Sequence, residues 1–241
     1  MTSAEPRPKI VPCVHDIYRQ NMAVMFVDLD HFMRICTDVA PETVFVLLGE
    51  FQRIVTDNVS NFKGKLNAYQ GDGVLATFDN AAGQTDCATR ALRCAWRILE
   101  QINALNLNEA ALGGDWLVSA SIGLQYGPVW SGVINSSRRY GPTLVGDAVN
   151  VAARLEQHAH ALDTKVVAGD DLMQRARSEH AFGAFEVARF VNAGTLLIRG
   201  RHAPIGVWAM RTDAAEFALK RPSTPACINT ALSWGNYPTS N

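Results

Sequence analysis

A short, almost uninterrupted apolar run, MAVMFVDLD at residues 22–30, limits the possible folds of this chain more than any other feature. A strand that is apolar on both faces must be covered on both faces, as the central strands of layered α/β proteins are. The run ends in two acidic residues, Asp28 and Asp30. The sequence therefore predicts a central strand whose end carries carboxylates.

The segments after this run alternate between helical and extended periods. Pro41 opens a predicted helix that extends to about residue 59, and KLNAYQ and VLATF are predicted to form a hairpin around Gly71-Asp72-Gly73. Next come a helix over 84–106, the strands WLVSASIGLQYG and PVWSGVIN, and a helix over 147–162. This order predicts an α/β (α+β) sandwich with a ferredoxin-like βαββαβ core.

Shorter strands are expected after residue 164, near 165–168, 184–190, 195–199 and 205–210. We expect a leader segment at 1–20, a folded domain at 21–211 and a turn-rich tail at 212–241. The second helix carries Arg90, Arg93 and Arg97 away from its apolar stripe, which predicts a solvated face.

Composition excludes several classes of function. The 22 basic and 23 acidic residues leave a net charge of −1, so no broad basic surface for nucleic acid or anionic lipid is expected. No apolar stretch approaches the roughly 20 residues of a membrane helix, and the N-terminus lacks a signal-peptide core. The five cysteines are odd in number and form no C-x-x-C pair, which argues against disulfides and a zinc site. We expect a cytoplasmic protein with reduced thiols.

The aspartate between two glycines, Asp72, is the first candidate for a chemical role. A turn aspartate is commonly just solvated, but Asp28 leaves a strand that can pair beside this hairpin. Two carboxylates that converge in a partly dry cleft raise each other's pKa, and a divalent cation removes that cost. Because Mg²⁺ binds through one or two carboxylates plus substrate phosphates, the pair suits a nucleotide site. Asp30, on the same face by the period of two, is a further candidate.

The helix over 147–162 supplies a second candidate set. Its apolar stripe places Asn150 and Arg154 on the opposite side, pointing away from the core of their own chain. An amide and a guanidinium can serve a phosphate, and a partner subunit could supply the metal half of such a site. His158 and His160 are interpreted as ordinary surface histidines, since no cysteine or carboxylate nearby in sequence completes a metal site.

Four segments, taken together, resemble a known family. FVDLDHF, YQGDGVLATF, SIGLQYGPVWSG and LVGDAVNVAARLE occur in the order and spacing of the catalytic domain of class III nucleotidyl cyclases, the adenylate and guanylate cyclases. The similarity runs from about residue 21 to 210, and it implies the class III cyclase fold with extra C-terminal strands.

The resemblance implies a role for each matching residue. Asp28 and Asp72 match the two aspartates that bind two divalent cations, Mg²⁺ or Mn²⁺, and Leu29 would assist through its backbone carbonyl. Asn150 and Arg154 match the pair that orients the ribose and stabilises the pentavalent phosphorus.

Three further positions would contact the nucleotide. Arg199 falls where the family commonly has a lysine on the β- and γ-phosphates, and Thr143 falls where the family reads the base. At Ala68 the pattern departs, because adenylate cyclases have lysine there and guanylate cyclases have glutamate. Lys65 and Asn67 alternate to the opposite strand face, so neither replaces that side chain without a bulge.

The resemblance also implies an assembly and a reaction. Family members form head-to-tail dimers whose sites lie at the interface, with metal ligands from one chain and the Asn/Arg pair from the other. The expected activity is that of an adenylate cyclase homodimer acting on ATP, with a guanylate cyclase acting on GTP as the alternative.

Other functions for this chain are also possible or can be excluded from its motifs. A catalytically silent cyclase-like module stays open, although Asp28, Asp72, Asn150 and Arg154 are all present. The hairpin lacks the G-G-[DE]-E-F turn of a diguanylate cyclase, and the P-loop and Rossmann motifs are absent.

Overall fold

The structure, a computed structural model, describes residues 14–80, 85–108, 118–134, 142–179, 181–201 and 203–211. The predicted tail at 212–241 and most of the predicted leader lie outside these residues. The strands are β1 Val14–Leu29, β2 Lys65–Gln70, β3 Gly73–Phe78, β4 Ala120–Ile134, β5 Thr143–Val145, β6 Val166–Gly169, β7 Phe190–Leu196 and β8 Ile205–Met210. The helices are α1 Phe32–Asp38, α2 Pro41–Asn61, α3 Cys87–Asn108, α4 Asp147–His158, α5 Asp170–Glu179 and α6 Ala181–Val187. A short 3-10 helix, His160–Leu162, follows α4.

The described strands form one sheet in the order β2-β3-β1-β4-β6-β8-β7, and β5 pairs with β4. The first four positions are the strand order of a ferredoxin-like core, so the predicted fold class is confirmed. β1 lies between β3 and β4, antiparallel to both, as the apolar run at 22–30 predicted. Strands β6, β8 and β7 extend the sheet beyond β4.

The two faces of the sheet are covered by different helices. On one face α2, α3 and α5 enclose the main core, which includes Met25, Val27 and Ala76. On the other face α4 covers β1 and β4. We call the apolar group below it the α4 cluster, which consists of Met22, Val24, Leu75, Val129, Ala148 and Ala152. Residues of β1 thus alternate between two buried faces, which explains why the run is apolar at almost every position.

Several predicted elements differ from the structure. The segment predicted as a strand over 184–190 is instead mostly the helix α6, and α1 and α5 were not predicted at all. A short apolar run does not distinguish a strand from one or two turns of helix, and α6 has only 7 residues. β1 begins at Val14, eight residues before the predicted start.

The two strands predicted around Pro128 form the single strand β4. Pro128 pairs with Asn21 of β1 on one side, whereas β6 pairs only with residues 122–124 of β4 and β5 only with residues 130–132. At Pro128, β4 is therefore an edge strand among the described elements. A proline without an N–H is tolerated there, so it does not end the strand.

Arg90 is not on a solvated face, and that prediction is wrong for this residue. It is 7% exposed, and its guanidinium donates to the carbonyls of Phe62 and Lys63 at 3.0 Å each and to the carbonyl of Asp79. Its Nε also donates to the carboxylate of Asp86 at 2.8 Å. Arg90 thereby joins the end of α2 to the end of β3.

We expect Arg90→Met to lower the free energy of unfolding by about 2 to 4 kcal/mol, because buried carbonyls lose their charged donor. Urea denaturation followed by circular dichroism measures this change. The control is Arg97→Met on the same helix, whose side chain is 56% exposed, and its expected effect is below about 0.5 kcal/mol. Equal effects of the two substitutions would contradict a clamping role for Arg90.

Candidate active site

Asp28 lies at the end of β1, between two partner strands. Its backbone pairs with Gly73 of β3 and with Ser121 of β4. A Cβ atom at Gly73 would lie 3.2 Å from Oδ1 of Asp28, so the carboxylate occupies the space that the glycine leaves free. Phe26, two residues earlier on the same face, pairs with Gly123, which lies below α4. Asp28 therefore projects from the face of the sheet that α4 covers.

Asp72 occupies the turn that joins β2 to β3, directly before Gly73. Gly71 has a φ of 68°, a conformation in which a side chain would be strained, so this turn requires a glycine. Asp72 is next in sequence to Gly73, which pairs with Asp28 and whose Cβ position lies 3.2 Å from Oδ1 of Asp28. The structure thus brings the two predicted metal-binding aspartates together.

The electrostatics of this pair suit a cation. Burial, followed by the charges of Asp72 and Asp30, raises the pKa of Asp28 to about 6, while the backbone N–H of Leu29 acts in the opposite direction. Bringing a divalent cation between the carboxylates would remove this repulsion, and oxygen donors are the ligands that Mg²⁺ and Mn²⁺ prefer. The Leu29 side chain has no donor atom, so this residue could contribute only its backbone carbonyl. Within the described ranges, no group of three or more His, Cys, Asp and Glu side chains is arranged to hold a metal ion.

Asp30, which the sequence suggested as a further metal ligand, is already engaged by other groups. Its carboxylate accepts hydrogen bonds from Ser119 at 2.5 Å, Ser121 at 2.6 Å and Lys165 at 2.6 Å, and Nε2 of His160 lies 3.2 Å away. Although burial acts to raise it, these donors hold the pKa of Asp30 below its ordinary value. His160 therefore contacts a buried carboxylate, which its interpretation as an ordinary surface histidine did not include.

Helix α4 lies directly on β4 at Gly123. A Cβ atom there would lie 2.0 Å from the carbonyl oxygen of Ala152 and 2.3 Å from the backbone nitrogen of Glu156. Any other residue would push the helix away from the sheet. This contact brings the last turns of α4 over the strand that pairs with Asp28.

Glu156 is a charged residue of the site that the sequence reasoning missed. It is 7% exposed, and burial together with the charges of Asp28, Asp30 and Asp72 raises its pKa to about 7. The signal was available, since Glu156 follows Ala152 by four residues and so continues the buried stripe of α4. A carboxylate on a buried stripe needs a partner or a function.

Asn150 and Arg154 lie on the exposed side of α4, as predicted. The predicted buried stripe is confirmed for Ala148, Ala152, Leu155 and Ala159. The Arg154 guanidinium donates to Oε1 of Gln157, a neutral group, at 2.7 Å. Its positive charge is thus presented outward, where a second chain or a ligand can reach it.

Three other residues, Thr143, Ala68 and Arg199, were predicted to contact the nucleotide. Thr143 is exposed at the start of β5, and Ala68 is half-buried against the α4 cluster. Arg199 is exposed in the turn between β7 and β8. Two residues later, Arg201 donates to the carboxylate of Asp147 at 2.6 Å, which ties this turn to the first residue of α4. The cation at Arg199 therefore lies on a segment fixed to the helix that carries Asn150.

The sequence of this chain matches a family model. The model described as "Adenylate and Guanylate cyclase catalytic domain" matches residues 15–209. The chain belongs to the class III nucleotidyl cyclase family. Cyclase domains of this family bind nucleoside triphosphates, generally use divalent metal ions and typically work as dimers.

Some proteins similar to this cyclase domain are named adenylate cyclases, and others are named guanylate cyclases. Adenylate cyclase 1 of Rhizobium meliloti is 27% identical over 191 residues, which cover 79% of this chain and 27% of that protein. The crystal structure of the adenylyl cyclase CyaB from P. aeruginosa superposes with a TM-score of 0.70 at 16% identity, covering 83% of this chain and 97% of that one. The structure of a guanylyl cyclase superposes with a TM-score of 0.68 at 23% identity, covering 80% and 92%.

The cyclase domain spans between 27% and 37% of the length of the first two curated relatives that it matches. Among the described residues, no helix of this domain combines the length and the apolar composition needed to cross a bilayer.

The pKa of Glu156 predicts how stability depends on pH in EDTA. The carboxyl titrates near 4.5 when unfolded and near 7 when folded, so the folded state favours its protonated form. The protonated carboxyl therefore stabilises the folded state below about pH 4.5, and this stabilisation is lost as the pH rises to about 7. We expect Glu156→Gln, which stays neutral, to be more stable than the wild type at pH 8 by about 1 to 2 kcal/mol and to differ less at pH 5.

Urea denaturation at pH 5 and pH 8 measures this difference. The matched control is Glu42→Gln, because Glu42 is exposed in the first turn of α2 and should change stability alike at both pH values. If stability changes by the same amount between pH 5 and pH 8 in the Glu156→Gln protein and in the wild type, then Glu156 does not titrate in this range.

Proposed function

We propose that the chain is an adenylate cyclase that converts ATP to 3′,5′-cyclic AMP and pyrophosphate at the interface of a homodimer. The observation that carries the proposal is the position of Asp72 directly before Gly73, whose Cβ position lies 3.2 Å from Oδ1 of Asp28, while α4 presents Asn150 and Arg154 outward. In the reaction the ribose 3′-oxygen bonds to the α-phosphorus, the bond from that phosphorus to the β-phosphate oxygen breaks, and the hydroxyl proton is released.

The metal half of the site belongs to one protomer. Asp28 and Asp72, with the backbone carbonyl of Leu29, would hold two Mg²⁺ or Mn²⁺ ions, which would lower the pKa of the 3′-hydroxyl and neutralise the leaving pyrophosphate. The buried network around Asp30 supports this half, because its donors fix the chain two residues after Asp28.

The other half is contributed by α4 and the β7–β8 turn of the partner protomer. Arg154 would meet the negative charge that develops at the α-phosphate in the transition state, and Asn150 would orient the ribose. Arg199 would bind the β- and γ-phosphates, for which its guanidinium offers a bidentate fork. The exposure of all three side chains in the single chain supports their use across an interface.

Exposed apolar side chains support dimer formation. Trp130 and Val145 pair across β4 and β5, and they are 48% and 60% exposed. Apolar groups gathered at one end of a sheet are typical of a surface that another chain covers.

Guanylate cyclase activity is the second candidate, because Ala68 lacks the side chain that reads adenine in the family. Thr143 favours ATP, since one subset of adenylate cyclases has threonine at this position. A silent nucleotide-binding module would be expected to lose residues of the metal half or the phosphate half of the site. Asp28 and Asp72 are both retained, and the charge of Asp72 contributes to the raised pKa of Asp28. The division into a leader, a catalytic domain at 21–211 and a tail stays a prediction.

Incubation of the purified chain with ATP or GTP and Mg²⁺ or Mn²⁺, followed by chromatography of the products, tests the activity. We expect cyclic AMP and pyrophosphate from ATP, with less cyclic GMP from GTP. Asp72→Asn should abolish the product, because one ligand loses its charge. If neither nucleotide is cyclised under any of these conditions, the silent module becomes the better description.

Mixing two inactive variants tests the shared site. In a heterodimer of Asp28→Ala and Arg154→Ala, one site combines both defects and the other is intact. Random exchange makes half of the dimers heterodimers, so we expect about a quarter of the wild-type activity per total protein. A mixture of Asp28→Ala and Asp72→Ala is the control, because neither site then has both aspartates. Activity that does not return, although native mass spectrometry shows exchanged subunits, would refute the shared site.

A further inference from the structure

An extra residue in β2 changes which side chains face the nucleotide. Leu66 pairs with Ala76 of β3, but Ala68 pairs with Leu75, so two residues of β2, Asn67 and Ala68, oppose one residue of β3. This is the residue count of a β-bulge. The simple alternation expected for β2 therefore fails at Asn67.

The bulge turns Asn67 toward the face that carries α4. Its Oδ1 accepts a hydrogen bond of 2.9 Å from Oγ1 of Thr77. Thr77 pairs with Val24, a member of the α4 cluster, so this contact lies on the face of the α4 cluster. Ala68 packs against the same cluster. Asn67 and Ala68 thus share the face on which a base-reading residue is expected.

Lys65, the other polar residue near Ala68, is occupied. Its Nζ donates to Oδ2 of Asp79 at 2.6 Å, and that carboxylate is 10% exposed. Lys65 pairs with Thr77, two residues of β3 farther from the hairpin turn than Leu75, the partner of Ala68. The Lys65 ammonium group is therefore held at Asp79, away from Ala68, the position where the family has a base-reading side chain.

The chemistry of Asn67 suits one kind of base edge. Because Thr77 donates to Oδ1, the amide plane is fixed and Nδ2 presents its two N–H donors away from Thr77. The side chain is half-buried, so a ligand can still reach it. Adenine has an acceptor at N1, whereas guanine has an N–H at that position, and a fixed donor discriminates between the two.

We propose that Asn67 takes the place of the residue missing at Ala68 and reads the base, donating from Nδ2 to N1 of adenine. This inference rests on the proposed function, because the base is that of the nucleotide bound at the shared site. It assigns ATP preference to a residue one position from the one that the family pattern indicates. The bulge makes this possible, since it brings Asn67 to the nucleotide face.

Three nucleotides and three variants test the assignment. We would measure kcat/KM for ATP, for GTP and for 1-deaza-ATP, in which a C–H replaces N1. The wild type should prefer ATP over 1-deaza-ATP by about tenfold, and Asn67→Ala should reduce this preference to about twofold or less. A purely structural effect of Asn67 would lower both rates alike and leave their ratio unchanged.

The isosteric variant Asn67→Asp keeps the acceptor for Thr77 and replaces the donor by an acceptor. We expect it to lower the ratio of kcat/KM for ATP to that for GTP by about tenfold, because guanine offers an N–H where adenine has N1. Lys65→Met is the matched control on the same strand and should leave this ratio unchanged. Wild-type ratios in both Asn67 variants would overturn the assignment.

Equilibrium binding of fluorescent ATP and GTP analogues to the same proteins separates the two hypotheses. If the wild type makes no cyclic nucleotide but Asn67→Asp shifts the binding preference toward GTP, the proposed function fails and the reading of the base by Asn67 stands. If the wild type is active and neither the kinetic nor the binding ratio changes, the proposed function stands and the role of Asn67 is refuted.

Discussion

The direct contact of α4 with β4 at Gly123 is the constraint on which the site depends. With the carbonyl of Ala152 only 2.0 Å from the position of an added Cβ, the helix is as close to the sheet as its backbone permits. Gly127 lies below Ala148, one turn of α4 before Ala152, and a Cβ atom there would lie 3.3 Å from Cβ of Ala148. The closeness of the helix has two consequences. Its inner side brings Glu156 among the aspartates, and its outer side displays Asn150 and Arg154.

Donors close to each carboxylate determine what that carboxylate can do. Asp28 and Asp30 are two residues apart, yet the pKa of Asp28 is raised and that of Asp30 is lowered. Asp30 receives two hydroxyls and an ammonium group, whereas Asp28 faces Asp72 and Glu156, which are acids themselves. Burial alone does not separate the two residues. Asp30 thus stabilises the fold through its hydrogen bonds, whereas Asp28 keeps a raised pKa that a nearby cation would lower.

The sequence predicted the parts of the fold that follow from a repeated pattern. The apolar run of β1, the apolar stripe of α4 and the glycines of the hairpin each depend on neighbours along the chain, and all are confirmed. What it missed depends on distant partners. Arg90 is buried because carbonyls from other elements converge on it, and the extra residue at Asn67 is visible only when β2 is aligned with β3. Pro128 stays within β4 because no described strand pairs with its other edge there.

The site residues follow the same division. Asp28, Asp72, Asn150 and Arg154 stand in local motifs and could be named from them, and the structure brings the first two together at the end of β1. Glu156 and Asn67 were missed, because one lies within an apolar stripe and the other follows an irregularity in pairing. A period of two or of 3.6 residues describes regular elements only.

The long ladder between β1 and β4 has one more consequence. From Tyr18 to Leu29 the two strands pair without a break, so a single register spans from the carboxylate of Asp28 to the segment of β4 that pairs with β5 and Thr143. A slip by one residue would turn every side chain of β1 to the opposite face. The two ends of the sheet, which would serve opposite halves of different sites in the proposed head-to-tail dimer, thus share one alignment. A slip of the whole ladder would therefore displace both ends together.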